Sequence, residues 1–230
     1  AADVAHELKN PLTSLRSAFE TLSMVSDPRQ QAVLLDILTH DVDRMDRLIT
    51  DISDSSRLDA ELARSHWEEL DLYALAEDVV SLQRQLAERD VEIILEPGEV
   101  RRPDFLILGA GLRLGQVLVN LITNAQTFSP EGGKIWVRMT RARGEIILSV
   151  EDQGIGFPAD KLTKVFDRFY TDRPEQDGFG RHSGLGLSIS KQIVNAHGGK
   201  IWAENADQSG EISGGRVVLR LPEMPEDFKL

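Results

Sequence analysis

The chain has 230 residues, and 41% of them are hydrophobic without counting the 18 glycines, which is typical of one or two globular domains. Acidic residues outnumber basic ones by 38 to 26, and the net charge of −12 disfavours binding to nucleic acid. The absence of cysteine excludes disulfides and thiolate chemistry, and no run of about 18 apolar residues is present to cross a membrane. Because the chain opens in a helical pattern without Met, we expect a fragment of a longer protein.

Two helices joined by a short turn are predicted at the start of the chain. Apolar residues recur at alternating steps of three and four from Leu8 to Leu22 and from Leu35 to Ile52, and Ser26-Asp27-Pro28 separates the two patterns. We expect Pro11 to kink the first helix. A lone hairpin would leave part of each apolar seam exposed, so we expect a homodimer in which two hairpins form a four-helix bundle. Packing of the hairpin against its own chain is the alternative.

The sequence pattern changes near Arg64 to Trp67, which divides the chain into predicted domains of residues 1–64 and 65–230. In the second domain, strands interleave with helices, which predicts an α+β fold whose mixed sheet is covered on one face by helices. The predicted helices are Leu75–Leu86, Leu112–Thr127 and Leu185–Ala196. The predicted strands are Val91–Leu95, Ile135–Arg141, Glu145–Glu151, Lys200–Glu204 and Gly215–Leu221. The residues expected to face inward on the central helix are Leu114, Val117, Leu118, Leu121, Ile122 and Ala125.

Two asparagines share one face of the central predicted helix. Asn120 and Asn124 are four residues apart, which places them one turn apart along the helix. A side-chain amide oxygen is a suitable ligand for Mg²⁺, which otherwise binds water and phosphate oxygens. The alternative is that both amides are solvated on a helix surface.

A carboxylate and two glycines follow a predicted strand in Asp152-Gln153-Gly154-Ile155-Gly156. An ionised carboxylate at the end of a buried strand is costly unless it is paired, and it can accept a hydrogen bond from an exocyclic amino group such as that of adenine. The glycines allow a sharp turn and a close approach to a flat ligand. The alternative is a tight turn in which the aspartate caps a helix.

A second glycine-rich stretch precedes the last predicted helix. Gly178-Phe179-Gly180 and Gly184-Leu185-Gly186 enclose Arg181-His182-Ser183. Backbone N–H groups at the start of a helix can bind phosphate. We therefore expect residues 170–183 to form a mobile lid over a nucleotide, and the alternative is a flexible surface loop.

Five motifs in the chain resemble, in order, those of the sensor histidine kinases. They are His6-Glu7-Leu8-Lys9-Asn10-Pro11-Leu12-Thr13 for the H box, Asn120 to Ala125 for the N box, Asp152 to Phe157 for the first glycine box, Phe166 to Tyr170 for the F box, and Gly184 to Ile189 for the second glycine box. Together they span nearly the whole chain. The sequence around His6 is also similar to alphaproteobacterial sensors of the ChvG/ExoS type.

This resemblance implies a protein-histidine kinase of a two-component system. His6 would accept the γ-phosphoryl group of ATP, and Glu7 would orient its ring and act as the base. The phosphoryl group would then pass to an aspartate of a response regulator, and Asn10 would align water for a phosphatase reaction on that regulator. The resemblance also implies a cytoplasmic location, with any anchor in the inner membrane lying outside this chain.

The resemblance further implies an ATP-binding domain of the fold shared with gyrase, Hsp90 and MutL, with ATP and Mg²⁺ as cofactors. Asn124 would ligate Mg²⁺, Asn120 would support the site, and Asp152 would recognise the adenine amino group. The other residues expected to bind nucleotide are Phe128, Gly154, Ile155, Gly156, Ser183, Gly184, Leu185, Gly186 and Leu187.

Two positions depart from the family pattern. Thr127 stands where Lys or Arg is common, so phosphate contacts would fall to the lid, at Arg181 or His182. Ala110 replaces the usual acidic residue at the start of the central helix, and the lost cap costs about 1 kcal/mol unless a neighbouring glycine replaces it. Motion between the domains is expected at residues 62–66.

Three other functions are weighed against this one. A gyrase- or MutL-type ATPase has a glutamate at the position of Asn120, whose amide cannot accept a proton. A serine/threonine kinase of the anti-sigma type lacks the His-Glu hairpin. A non-enzymatic signalling module would not need Asn124, Asp152 and the glycine boxes.

Overall fold

A computed structural model describes residues 2–62, 66–87, 90–96, 105–170, 184–207 and 212–224. For some of them, residues 2–8 and 50–62 included, it describes the backbone alone. The chain divides into two compact units, one built around two long helices at its start and the other around a five-stranded sheet.

The helical unit contains α1 (Ala2–Leu22) and α2 (Pro28–Leu62), which confirms the two predicted helices. Helix α1 continues through Pro11. Asp27 precedes α2, and its Oδ1 accepts a hydrogen bond from Arg29 N at 3.0 Å, so a side chain and Pro28 together define where the helix begins. Many apolar side chains of these helices are exposed, namely Leu12, Phe19, Val33, Leu35, Ile37, Val42 and Ile49.

The sheet unit has the predicted α+β architecture. Its strands are β1 (Glu68–Asp71), β2 (Glu92–Glu96), β3 (Leu106–Gly109), β4 (Lys134–Ala142), β5 (Glu145–Glu151), β6 (Lys200–Asp207) and β7 (Ile212–Pro222). Five strands form a mixed sheet in the order β2-β4-β5-β7-β6, in which β2 and β4 are parallel and the other neighbours are antiparallel. Strands β1 and β3 form a separate antiparallel pair, which the sequence pattern did not predict because each has only four residues.

Three helices belong to the sheet unit: α3 (Leu72–Leu86), α4 (Gly111–Phe128) and α5 (Gly186–Ala196). The buried face of α4 consists of the six apolar residues predicted for it. In α3, by contrast, Leu82 and Leu86 are exposed while Ala76 and Val80 are buried. Asp71 caps α3 by accepting hydrogen bonds from Tyr73 N and Ala74 N in the first turn. The buried face of the helix therefore does not include the two leucines near its end.

His197 links the end of α5 to the start of α4. The backbone N–H of Ala110, the cap position of α4, donates to His197 Nε2 at 3.0 Å, so Nδ1 carries the proton and donates to Ile193 O at 2.7 Å. The imidazole ring also lies 4.6 Å from the ring of Trp67. A Cβ at Gly109 would lie 3.1 Å from His197 Cδ2, so a glycine fits this junction best. Burial lowers the pKa of His197, and the fold therefore requires a neutral ring.

We expect His197 to make stability depend on pH. Its folded-state pKa is lower than the usual 6.5, so the unfolded chain binds a proton that the folded protein excludes. The contribution is fully present above pH 6.5 and is lost as the pH falls towards the folded-state pKa. Urea unfolding of the wild type and His197→Gln, from about pH 7.5 to about pH 5, measures the difference.

The exposed His66 provides the control for this prediction. His66→Gln should show the same pH dependence of the free energy of unfolding as the wild type. If His197→Gln also keeps the full dependence, the role assigned to the buried imidazole is wrong.

Candidate functional site

The carboxylate of Asp152 is buried where β5 ends and is held by backbone groups of two neighbouring segments. Its Oδ1 accepts hydrogen bonds from Gly154 N at 2.7 Å and Gly215 N at 3.2 Å, and its own backbone N–H donates to Gly215 O at 2.9 Å. Burial raises the pKa of Asp152, the bonds from Gly154 and Gly215 oppose that shift, and the charge of Glu151 adds to it. Burial and the two backbone hydrogen bonds therefore act in opposite directions on the protonation of this carboxylate.

Close backbone approaches around Asp152 require glycine. A Cβ at Gly154 would collide with the backbone oxygen of Phe128 at the end of α4. Gly214 has a φ of 138°, and a Cβ there would collide with the backbone oxygen of Asp152. Gly214 and Gly215 were not predicted as site residues, although two adjacent glycines inside a strand pattern were a signal for them.

Hydrogen bonds fix the loop after Asp152 on both sides of its exposed residue, Ile155. Gln153 Oε1 accepts a hydrogen bond from Lys134 N at 2.8 Å. Phe157 N donates to Asn205 Oδ1 at 2.6 Å, and Asn205 Nδ2 donates to Phe157 O at 2.8 Å. Between these anchors, Ile155 is 76% exposed, and Gly156 has a φ of 72°. No local pattern pointed to Asn205, because its partner Phe157 is far away in the chain.

Asn120 connects α4 to the first turn of α5. Its Nδ2 donates to Gly186 O at 3.1 Å and contacts Ser190 Oγ at 3.4 Å, while Ser190 Oγ donates to the same Gly186 O at 2.8 Å. Asn124 is half-buried one turn along α4, and its amide has no hydrogen bond to a described residue. The two predicted amides thus differ: one holds two helices together, and the other is available to a ligand.

The remaining residues that were predicted to bind nucleotide lie at the end of α4 and around the start of α5. Phe128 is 38% exposed at the end of α4, and Leu187 is half-buried in the first turn of α5. Gly184 O accepts a hydrogen bond from Phe169 N at 3.0 Å, and both residues have positive φ angles, 70° and 64° respectively. Leu185 is buried. Ser183 lies outside the described residues, as do Arg181 and His182.

The predicted catalytic residues all belong to α1. His6 and Asn10 are four residues apart in this helix, so the backbone places them on one face. The side chain of Asn10 is exposed, whereas the structure describes only the backbone of His6 and Glu7.

Two family models match this chain. The His Kinase A (phospho-acceptor) domain matches residues 1–61, and the histidine kinase-, DNA gyrase B- and HSP90-like ATPase matches residues 109–225. Within the described residues, no helix is long and apolar enough to cross a membrane.

Relatives and solved structures show the same likeness. The chain is 52% identical to the sensor protein ChvG of Rhizobium meliloti, a match that covers 98% of this chain and 40% of that protein. It is 50% identical to the sensor protein ChvG of Agrobacterium fabrum, over 96% of this chain and 38% of that protein. The structure of the histidine kinase ThkA in complex with the response regulator protein TrrA matches with a TM-score of 0.75 and 26% identity, over 98% of this chain and 61% of that chain.

The chain spans about two fifths of the length of the ChvG sensors it matches. These matches confirm the resemblance found in the five motifs and the similarity of the His6 region to ChvG-type sensors.

We expect Gly154→Ala to lower the free energy of unfolding by about 1–3 kcal/mol, because the backbone of Phe128 and the side chain of Asp152 must move to admit the methyl group. Gly115→Ala is the matched control, since Gly115 is in α4 and a Cβ there has ordinary contact with Leu75 at 3.7 Å. Within a helix, this control should stabilise the protein by up to about 1 kcal/mol. Urea unfolding measures both changes, and equal effects would contradict the proposed close approach.

Proposed function

The chain belongs to the sensor histidine kinases, and from this we propose that it is the phosphoacceptor and ATP-binding core of such a sensor. The carrying observation is that one chain matches both a phospho-acceptor domain and an ATPase domain of this family. We assign residues 1–64 to dimerisation and phosphotransfer and residues 65–230 to ATP binding. Residues 62–66 are the proposed hinge between them.

We assign adenine recognition to Asp152. Its Oδ1 is occupied by the N–H groups of Gly154 and Gly215, whereas its Oδ2 has no hydrogen bond to a described residue. An ionised carboxylate oxygen accepts a hydrogen bond from the exocyclic amino group of adenine. The exposed Ile155 and the glycines beside it allow a flat base to approach the backbone. The same loop and Phe128 are assigned to the nucleotide.

The donors around Asn124 fit Mg²⁺ rather than a softer metal. In the described residues, no group of three His, Cys, Asp or Glu side chains could hold a metal ion. An amide oxygen at Asn124, combined with phosphate oxygens and water, is a set that Mg²⁺ accepts. When bound, Mg²⁺ neutralises charge on the phosphates. We assign Asn124 as its protein ligand.

The role of Asn120 favours a kinase over a water-activating ATPase. Its Nδ2 donates to the first residue of α5, Gly186, and an amide used in this way cannot remove a proton from water. Asn120 therefore fixes the start of α5. We assign Gly184, Leu185, Gly186 and Leu187, together with Ser183, to the phosphate-binding segment, because backbone N–H groups at a helix start bind anions.

We propose that His6 is the nucleophile of the reaction. One imidazole nitrogen attacks the γ-phosphorus, the bond from phosphorus to the bridging oxygen breaks, and ADP leaves. The proton stays on the other ring nitrogen, where Glu7 accepts its hydrogen bond and stabilises the positive charge that develops. The resulting phosphoramidate is a good phosphoryl donor to an aspartate.

We propose a response regulator and a second copy of the chain as partners. The solved structure of ThkA with TrrA, similar over 98% of this chain, supports a response regulator as the phosphoryl acceptor. The exposed apolar side chains of α1 and α2 support dimerisation, because association into a four-helix bundle would remove them from water. We also propose that this core acts in the cytoplasm, because it needs ATP and a response regulator.

The first test follows the phosphoryl group. After incubation with γ-labelled ATP, the wild type should carry label that is labile to acid and stable to base, and His6→Gln should carry none. His40→Gln is the control, since this histidine lies on α2 outside the motif. Acid-stable label would support a serine/threonine kinase instead, and release of free phosphate without bound label would support an ATPase.

The second test separates the two reactions assigned to α1. Asn10→Ala should autophosphorylate like the wild type but dephosphorylate a phosphorylated response regulator at least about tenfold more slowly, because no amide aligns the water. The exposed Thr13→Ala is the control for a neighbouring change on the same helix. Equal loss of both reactions in Asn10→Ala would show a defect in folding rather than in water positioning.

A further inference from the structure

Five charged side chains form a continuous ion-pair network across the five-stranded sheet. Glu151 is buried at its centre, and its Oε2 accepts hydrogen bonds from Arg138 Nη1 and Arg216 Nε, each at 2.8 Å. Arg138 Nε also donates to Glu96 Oε2 at 2.9 Å, and Arg216 Nη1 donates to Glu204 Oε1 at 3.0 Å. The network therefore joins all the strands of the β2-β4-β5-β7-β6 sheet. We call Arg138, Glu151 and Arg216 the arginine clamp.

The arginine clamp is adjacent to Asp152 along two strands. Glu151 directly precedes Asp152, and it is paired in register with Arg216 of β7. Arg216 in turn directly follows Gly215, whose N–H and C=O both bond to Asp152. The clamp thus holds β5 and β7 together at the last cross-strand pair before the carboxylate.

We propose that the arginine clamp is a positioning device that sets adenine specificity: Arg138 and Arg216 neutralise Glu151 and thereby keep Asp152 ionised and able to accept a hydrogen bond. The inference rests on the proposed role of Asp152. Without the arginines, the charge of the buried Glu151 would act uncompensated on the adjacent carboxylate of Asp152, and this repulsion would favour a proton on Asp152.

The protonation of Asp152 decides which base it can recognise. An ionised carboxylate only accepts hydrogen bonds and therefore matches the exocyclic amino group of adenine. A protonated carboxyl group donates one hydrogen bond and therefore matches the carbonyl oxygen at the same position of guanine. The arginine clamp would in this way control which base is bound, although its side chains do not contact the base.

Few other charges surround Asp152 in the described part of the chain. Helix α4, whose Phe128 O faces Gly154, carries one charged side chain, Arg113, which bonds to Gln116 at the far end of the helix. The glycine loop that follows Asp152 contributes the neutral Gln153.

The strands beside Asp152 contribute charges that are already paired. On β4, Lys134 pairs with Glu92 at 3.2 Å, and on β6, Glu204 pairs with Arg216. Burial is the main cause of the raised pKa of Asp152, and the charge of Glu151 adds to it. The two arginines bound to Glu151 are therefore the side chains best placed to change the charge state of Asp152.

The experiment measures competition by ADP and GDP against a fluorescent adenine nucleotide from about pH 5.5 to about pH 9. The wild type should prefer ADP and lose affinity for it in acid. In Arg138→Met and Arg216→Met, the midpoint of that loss should rise by about 1 pH unit, and the preference for ADP over GDP near neutral pH should fall about tenfold. Glu151→Gln should move the midpoint downwards, because it removes the negative charge and leaves both arginines.

Arg220→Met is the matched control. Arg220 lies four residues after Arg216 on β7, on the same face, and bonds to Glu145 at 3.3 Å. Its side chain is 36% exposed, compared with 34% for Arg216. This variant should keep the wild-type midpoint and preference, and Arg216→Lys, which retains the positive charge, should recover the midpoint that Arg216→Met shifts.

Two failures of the experiment are distinguishable. If the arginine variants and Glu151→Gln weaken ADP and GDP binding equally with unchanged midpoints, the arginine clamp is merely structural and the inference is overturned. If Asp152→Asn keeps the wild-type preference for ADP, the role of Asp152 itself is wrong, and the inference falls with the proposed function.

Discussion

The sheet unit depends on the burial of one carboxylate, that of Asp152, next to groups that can stabilise its charge. Burial favours the protonated form, so the charge must be stabilised by nearby groups. The protein supplies these groups from its backbone, with N–H groups of Gly154 and Gly215 bonded to Oδ1. Backbone atoms make these bonds, so the backbones lie close together. Gly154 therefore has no room for a Cβ beside the end of α4, and Gly214 of β7 has none beside Asp152.

In the same unit, a side chain at the end of α5 takes the place of a missing cap at the start of α4. Helix α4 begins at a cap position, Ala110, that offers no side-chain hydrogen bond, and His197 accepts the N–H of that residue instead. Asn120, further along α4, donates to the start of α5. These contacts fix the start of α5 relative to α4, the helix that also carries the half-buried Asn124.

The chemistry of this kinase core is divided between its two units. The helical unit carries the proposed catalytic residues His6, Glu7 and Asn10, which follow one another within about one turn of α1. The sheet unit carries Asp152 and Asn124, which we assign to adenine and Mg²⁺. In the proposed function, loading and transfer of the phosphoryl group both take place at α1.

The sequence by itself determined what is local. The helices α1, α2 and α4 and the six inward residues of α4 follow from periodicity, and the motif residues were identified because short stretches of sequence resemble those of a known family. Tertiary structure decided the β1–β3 pair, the buried stripe of α3, the Gly214–Gly215 support for Asp152, the Asn205 anchor and the arginine clamp. Each of these depends on residues brought together from distant parts of the chain, and hydrogen bonds and ion pairs at such range leave no periodic signal in the sequence.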